Sequence, residues 1–231
     1  ARLNSIPYVS IATRRSPREV AAGDLLAGTR VTPLAVPEST LALVEDCCGS
    51  GGPLIAVLPF HPRKIGLIIT GSEIYSGRTP DAFGPVLRRK FAAWGSEILS
   101  QEIVPDEPEQ TAQAMSRALD NGAQVLVVSG GMSVDPDDKT PAAIRSLGEE
   151  IVARGVPVFP GAMFMLAYRG DIPLLGLPGC VMYRQATVFD LIMPRILAGK
   201  RITPQDINEL AHGGLCDSCP ECVYPRCGFG S

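Results

Sequence analysis

The sequence predicts an α/β fold: a Rossmann-like three-layer sandwich with a mostly parallel sheet, flanked by a small β-rich N-terminal segment and a Cys-rich C-terminal tail. Three observations carry that expectation. From Lys64 onward, apolar runs alternate with amphipathic stretches. The run Gln124–Val128 is almost continuously apolar, as a strand covered on both faces must be. Several apolar runs end in Gly-containing segments that lead into helical patterns.

Taken in order, residues 1–60 are rich in Pro and Gly with short apolar runs such as Gly28–Leu34, which suggests short strands and turns. They open at Ala1 in what reads as mid-domain sequence, so they are expected to be part of a larger domain. Pro53, Pro59 and Pro62 restrict the backbone and mark a connector. The α/β domain is assigned to residues 61–200. Its first strand is Lys64–Thr70, followed by a helix over Gly84–Trp94, where Leu87, Phe91 and Trp94 recur at helical spacing. Ser96–Val104 reads as the second strand. Glu109–Asn121 is a helix that opens on acidic residues, ends before Gly122, and carries Ala112, Met115 and Leu119 on one face. Gln124–Ser129 is the third strand, Thr140–Leu147 a short helix, and Val156–Phe159 and Ile172–Leu177 further strands. A long helix over Cys180–Leu197 has Met182, Ala186, Phe189, Met193 and Ile196 as its buried stripe. Residues 201–231 form the tail.

A chain of 231 residues suits one good-sized domain with appendages. The formal net charge of −3 leaves no basic surplus, which argues against nucleic acid or an anionic membrane surface as partner. No apolar run approaches the roughly 18 residues of a membrane span, and no signal sequence opens the chain, so a cytoplasmic protein with a small-molecule ligand is expected.

Three loops follow apolar strands and belong at the C-terminal edge of the sheet, where open α/β folds bind ligands. They are Thr70-Gly71-Ser72-Glu73, Ser129-Gly130-Gly131-Met132-Ser133 continuing to Pro141, and Leu177-Pro178-Gly179-Cys180. Small residues let a ligand approach the backbone, and amides near a helix start suit phosphate. Asp135, Asp137 and Asp138 would repel such a phosphate unless a hard cation lay between, so Mg²⁺ is expected. The alternative is that Asp138 caps the helix beginning at Lys139, with Thr140 and Pro141 in its first turn.

Thr70–Glu73, Asp81–Leu87, Val104-Pro105-Asp106-Glu107, Ser129-Gly130-Gly131 with Asp138-Lys139-Thr140-Pro141, and Leu177-Pro178-Gly179 together resemble the molybdopterin-binding domain of molybdenum cofactor biosynthesis proteins, over about residues 64–199. That family includes molybdopterin adenylyltransferase, molybdopterin molybdotransferase and gephyrin. The resemblance implies that Thr70, Gly71, Ser72, Ser129, Gly130, Gly131, Ser133, Asp135, Thr140, Pro178, Gly179 and Cys180 surround the pterin phosphate. It also implies that Asp138 and Asp81, with Glu73, act on the activated phosphate or its metal. Molybdopterin or the finished molybdenum cofactor is the implied ligand, with Mg²⁺ and, in the activating branch, ATP. A homo-oligomer, dimer or trimer, and molybdoenzymes or other cofactor-pathway proteins are the implied partners. The chain departs from the insertion enzymes at Cys180-Val181, where they usually carry Asn-Pro. A thiol at a helix N-terminus would have a lowered pKa and could approach molybdenum or the pterin sulfurs; the alternative is a small buried side chain in a tight turn.

The tail spacing Cys216-x2-Cys219-x2-Cys222-x4-Cys227 suits Zn²⁺ or an iron–sulfur cluster. Two functions remain open: a biosynthetic enzyme that activates the pterin or inserts molybdate, and a non-catalytic module that carries or senses the cofactor.

Overall fold

The computed structural model describes residues 2–49, 52–133 and 139–230. It divides into two units, Ala1–Pro59 and Phe60–Ser231. In the first, a short 3-10 turn, Leu3–Ser5, precedes strands β1 (Val9–Thr13) and β2 (Ala27–Val31) and helix α1 (Glu38–Gly49). The strands pair antiparallel with Ile11 opposite Thr29. Asn4 clamps β1 by exchanging two hydrogen bonds with the Ile11 backbone, at 2.8 and 2.9 Å. Helix α1 is not foreseen in a β-rich segment: its Leu41 and Leu43 are exposed, so its apolar residues form no single stripe from which periodicity could reveal it.

The second unit runs β3 (Lys64–Thr70), α2 (Ser72–Tyr75), α3 (Phe83–Ala93), β4 (Glu97–Val104), α4 (Pro108–Asp120), β5 (Val125–Ser129), α5 (Thr140–Leu147), β6 (Glu150–Arg154), β7 (Met165–Arg169), β8 (Ile172–Leu177), α6 (Cys180–Tyr183), α7 (Val188–Leu197) and α8 (Pro204–Glu209). Its six-stranded sheet has the order β4-β3-β5-β8-β7-β6 among the described residues. The first four strands are parallel neighbours, and β7 and β6 continue antiparallel. The fold is therefore α/β with a mostly parallel sheet.

Alternation along each strand sends side chains to opposite faces. Ile65, Leu67 and Ile69 of β3 and Val125 and Val127 of β5 pack with Leu87 and Phe91 of α3 and Phe189, Ile192 and Ile196 of α7. Phe91 meets Phe189 edge to face at 5.5 Å between ring centroids. Ile68, Leu126, Val128 and Leu174 face the other way, against Ala114, Met115 and Ala118 of α4 and Ala143 and Ile144 of α5. Gly66 lets α4 come close, since a Cβ there would lie 2.7 Å from that of Ala118.

Two elements differ from expectation. Val156–Phe159 is not a strand of the sheet; Phe159 instead makes an isolated parallel bridge to Leu215. The strands in that region are β6 and β7, and β7 returns to β8 through Gly170 at φ 56°. The helix expected over Cys180–Leu197 breaks into α6 and α7, because Thr187 starts a new helix with a capping box: its hydroxyl accepts from Phe189 N and Asp190 accepts from its amide. The C-terminal segment is packed on the core, with Phe229 buried and Tyr224 donating its hydroxyl to the Asp190 carbonyl at 3.0 Å.

Candidate functional site

Register aligns the strand ends. Thr70 lies opposite Val104, Ile69 opposite Ser129, and Ser129 opposite Leu177, so the loops leaving β3, β4, β5 and β8 emerge at one edge. The turn after β5 is made by Gly130 at φ 104° and Gly131 at φ 53°, conformations that favour glycine. A Cβ on Gly130 would run into the Thr70 carbonyl. One on Gly131 would lie 2.8 Å from Thr140 Oγ1 and 2.9 Å from Asp106 Oδ1. The turn is thus pressed between β3, the loop after β4 and the start of α5.

Thr140 ties this arrangement together. Its hydroxyl donates to the Gly130 carbonyl at 2.8 Å and lies 3.3 Å from that of Thr70. Both threonines are buried, which fits them to hold the turn rather than to meet solvent. The Gly71 amide donates to the Val104 carbonyl at 3.1 Å, joining the first loop to the end of β4. Lys139 Nζ pairs with Glu107 Oε1 at 3.1 Å across the same edge. Ser129 is fully buried, and among the described residues its hydroxyl has no hydrogen-bond partner. Met132 is buried against Gly176 of β8, where a Cβ would lie 2.9 Å from its methyl, so the second loop packs on the sheet near the end of β8.

The remaining candidates fall as follows. Ser72, Glu73, Ser133 and Gly179 are exposed at the loops, and Pro178 is buried beneath them. Asp135, Asp137 and Asp138 lie outside the described residues. Asp81 is occupied elsewhere: it caps α3, accepting from Phe83 N at 2.8 Å and Gly84 N at 3.0 Å, while Gln101 donates to its other oxygen at 2.8 Å. Among the described residues, the candidate-stretch carboxylate brought to the glycine turn is Asp106. The signal for it was present, since Val104–Glu107 is one of the matched stretches, but only strand register shows that its loop shares an edge with Gly131. Of the two readings of Cys180, the structure favours the partly buried side chain in a turn: burial pushes its thiol up, not down as an activating helix N-terminus would. Helix α6 has four residues and the thiol is half-buried, so desolvation outweighs any dipole.

The expected tail ligands are not gathered. Cys216 and Cys227 are half-buried, Cys219 and Cys222 exposed, all free thiols, and His212 is exposed. Among the described residues, no three His, Cys, Asp or Glu side chains are arranged to hold a metal. No helix of the described residues is long and apolar enough to cross a membrane.

Known proteins resemble this chain in the same region. A family described as a probable molybdopterin binding domain matches residues 66–198. A molybdopterin molybdenumtransferase of Synechococcus elongatus is 27% identical over 185 residues, 75% of this chain and 43% of that protein. A CinA-like protein of Mycobacterium avium is 31% identical over 90 residues, 38% of this chain and 21% of that one. This chain therefore spans less than half the length of these curated relatives. In fold, the molybdopterin biosynthesis enzyme MoaB from Thermus thermophilus superposes with a TM-score of 0.52 at 22% identity, covering 60% of this chain and 98% of that one. With a match that takes in more than half the sequence and every strand-end loop of the site, the chain belongs to the molybdopterin-binding domain family of molybdenum cofactor biosynthesis.

Proposed function

We propose that this protein binds molybdopterin at the edge formed by Thr70–Glu73, Pro105–Glu107, Ser129–Ser133 and Pro178–Cys180, and acts in the metal-insertion branch of molybdenum cofactor biosynthesis. The observation that carries the binding reading is the Gly130–Gly131 turn, packed against Thr70, Asp106 and Thr140 at the edge where four strand-end loops emerge. Backbone amides there suit a phosphate, and the buried Ser129 hydroxyl supplies a further polar group beneath the turn. The insertion branch is favoured over adenylylation because the alignment with the molybdenumtransferase is longer than the matched domain and so takes in sequence outside it.

In this reading Asp106, together with Asp135, Asp137 and Asp138 of the same Gly-Gly loop, would hold Mg²⁺, which would supply charge neutralisation for the phosphate. The chain's own groups do the rest. Gly130 and Gly131 admit the phosphate, Thr140 fixes the turn, and Met132 covers the β8 side. Glu73 stands exposed at the first loop, available to the pterin or to a cation beside it. None of these groups acts as a nucleophile; positioning and electrostatics carry the reaction.

The test supplies purified molybdopterin and its adenylylated form with molybdate and Mg²⁺, and follows both binding and products. Molybdate-dependent consumption of the adenylylated pterin supports insertion. New adenylylated pterin from ATP would move the protein to the activating step. Saturable binding with no product would make it a carrier or sensor, and absence of binding would overturn the site.

A further inference from the structure

Away from the glycine turn, the densest ligand chemistry is Cys216-x2-Cys219-x2-Cys222-x4-Cys227. We propose that these four thiolates form a tetrathiolate metal centre, taking a zinc-type divalent ion or an iron–sulfur cluster, which closes the C-terminal segment against the core.

The segment is pinned at both ends. Cys216 N–H donates to the Phe159 carbonyl at 2.8 Å, and Gly230 N–H donates to the Gly213 carbonyl at 2.9 Å. Near the distal end, Phe229 is buried, with its ring edge to face against Tyr224 at 6.2 Å. Cys216 and Cys227 pack against the same apolar cluster as these aromatics. The sulfurs therefore occupy one short loop whose ends already meet the core, so a metal joining them costs little further closure entropy.

Between the pins, conventional stabilisation is missing. Residues 217–223 are exposed and lack helix or strand. Such a stretch buries too little apolar surface to hold one conformation without a cross-link. Yet Ser218 adopts φ 52°, uncommon for a residue with a side chain, and its amide is aimed at Cys216 Sγ at 3.5 Å. An amide directed at sulfur within a Cys-x2-Cys turn stabilises a thiolate more than a thiol, and hydrogen bonds of this kind orient and tune metal-bound ligands.

The thiols have not converged among the described residues. Cys219 and Cys222 are exposed, so moving them uncovers no core residue. Ligation of a divalent ion releases the thiol protons to solvent and changes no oxidation state, while an iron–sulfur cluster takes its ferric iron from the iron supplied; either exchanges exposed, oxidisable thiols for a closed site.

The experiment titrates the reduced full chain with Co²⁺ and, in a separate anaerobic arm, with ferric iron, sulfide and excess dithiothreitol, which supplies the electrons for any ferrous iron in the cluster. Tetrahedral cobalt bands with thiolate-to-metal charge transfer, saturating at one equivalent and bleached by Zn²⁺, identify a zinc-type site. Stable cluster absorbance in the second arm identifies an iron–sulfur site. Replacing Cys219→Ser together with Cys222→Ser should weaken metal binding by at least about 100-fold, beyond what loss of an outer hydrogen bond does, while circular dichroism and pterin binding stay unchanged. Absence of thiolate–metal bands in both arms, or bands that survive the double substitution, would overturn the proposal.

Discussion

Gly130 shows how a single residue commits the site. At φ 104° and with the Thr70 carbonyl where a Cβ would go, it tolerates no side chain. Gly130→Ala should destabilise the protein by about 1–3 kcal/mol, read from urea denaturation, and should weaken pterin binding beyond that loss by displacing the turn. Asp106 and Asp81 separate by role. Asp106→Asn preserves shape but removes charge beside Gly131, so Mg²⁺-dependent turnover should fall about 100-fold or more with the melting temperature little changed. Asp81→Asn should do the reverse, costing about 1 kcal/mol as the α3 cap weakens while the folded fraction keeps its activity. An Asp81 variant that is stable but inactive would restore the role implied by family resemblance.

At the scale of elements, α3 and α7 are joined by a buried ion pair between Lys90 and Asp190. Lys90 Nζ also donates to the Gln185 carbonyl at 2.8 Å, so one ammonium braces the α6–α7 break. Burial pushes the Asp190 carboxyl up, and Lys90 and the Thr187 contacts offset this only in part. Lys90→Met would leave an uncompensated buried carboxylate and should cost about 3–5 kcal/mol at neutral pH. Because the folded-state value is raised, the penalty applies where Asp190 is ionised and shrinks as pH falls through that value. Denaturation midpoints of both proteins at neutral and acidic pH check this; a pH-independent difference would show that packing, not charge, is what Lys90 supplies. The break itself explains why Cys180–Leu197 reads as one helix. Ala186, Phe189, Met193 and Ile196 are all buried, so the stripe survives an interruption that only the Thr187 cap creates.

For the whole molecule, the two units differ in how they are held. In Ala1–Pro59 only Leu3 and Thr40 are buried among the described residues, while Leu34, Leu54, Val57 and Leu58 are exposed. Phe60–Ser231 contains both apolar clusters on either side of its sheet. Deleting residues 1–59 should therefore leave a protein that melts cooperatively and binds molybdopterin with affinity within about tenfold of the full chain, a difference of roughly 1.4 kcal/mol. Loss of cooperative melting would mean that the first unit supplies stability its sparse core does not suggest.

What the sequence determined by itself was whatever periodicity and loop chemistry encode locally. The continuous apolar run of β5 required burial on both faces, the spacing of α3 showed its inward stripe, and the glycine loops marked where a ligand approaches; in α4 the buried face is Thr111, Ala114, Met115 and Ala118, with Ala112 and Leu119 of the expected stripe only partly buried. Strand β8 was legible, but β7, its antiparallel partner, escaped this reading because a short and almost wholly buried run alternates no more clearly than a buried helix does. Among the described acids, only the tertiary structure separated Asp106, beside Gly131, from Asp81, at the start of α3, because the two stand in equally well matched stretches and differ in where their strands and helices carry them. It also decided that the C-terminal segment lies on the core, through Phe229, Tyr224 and the Phe159–Leu215 bridge. Such contacts join residues far apart in sequence, and no local pattern records them.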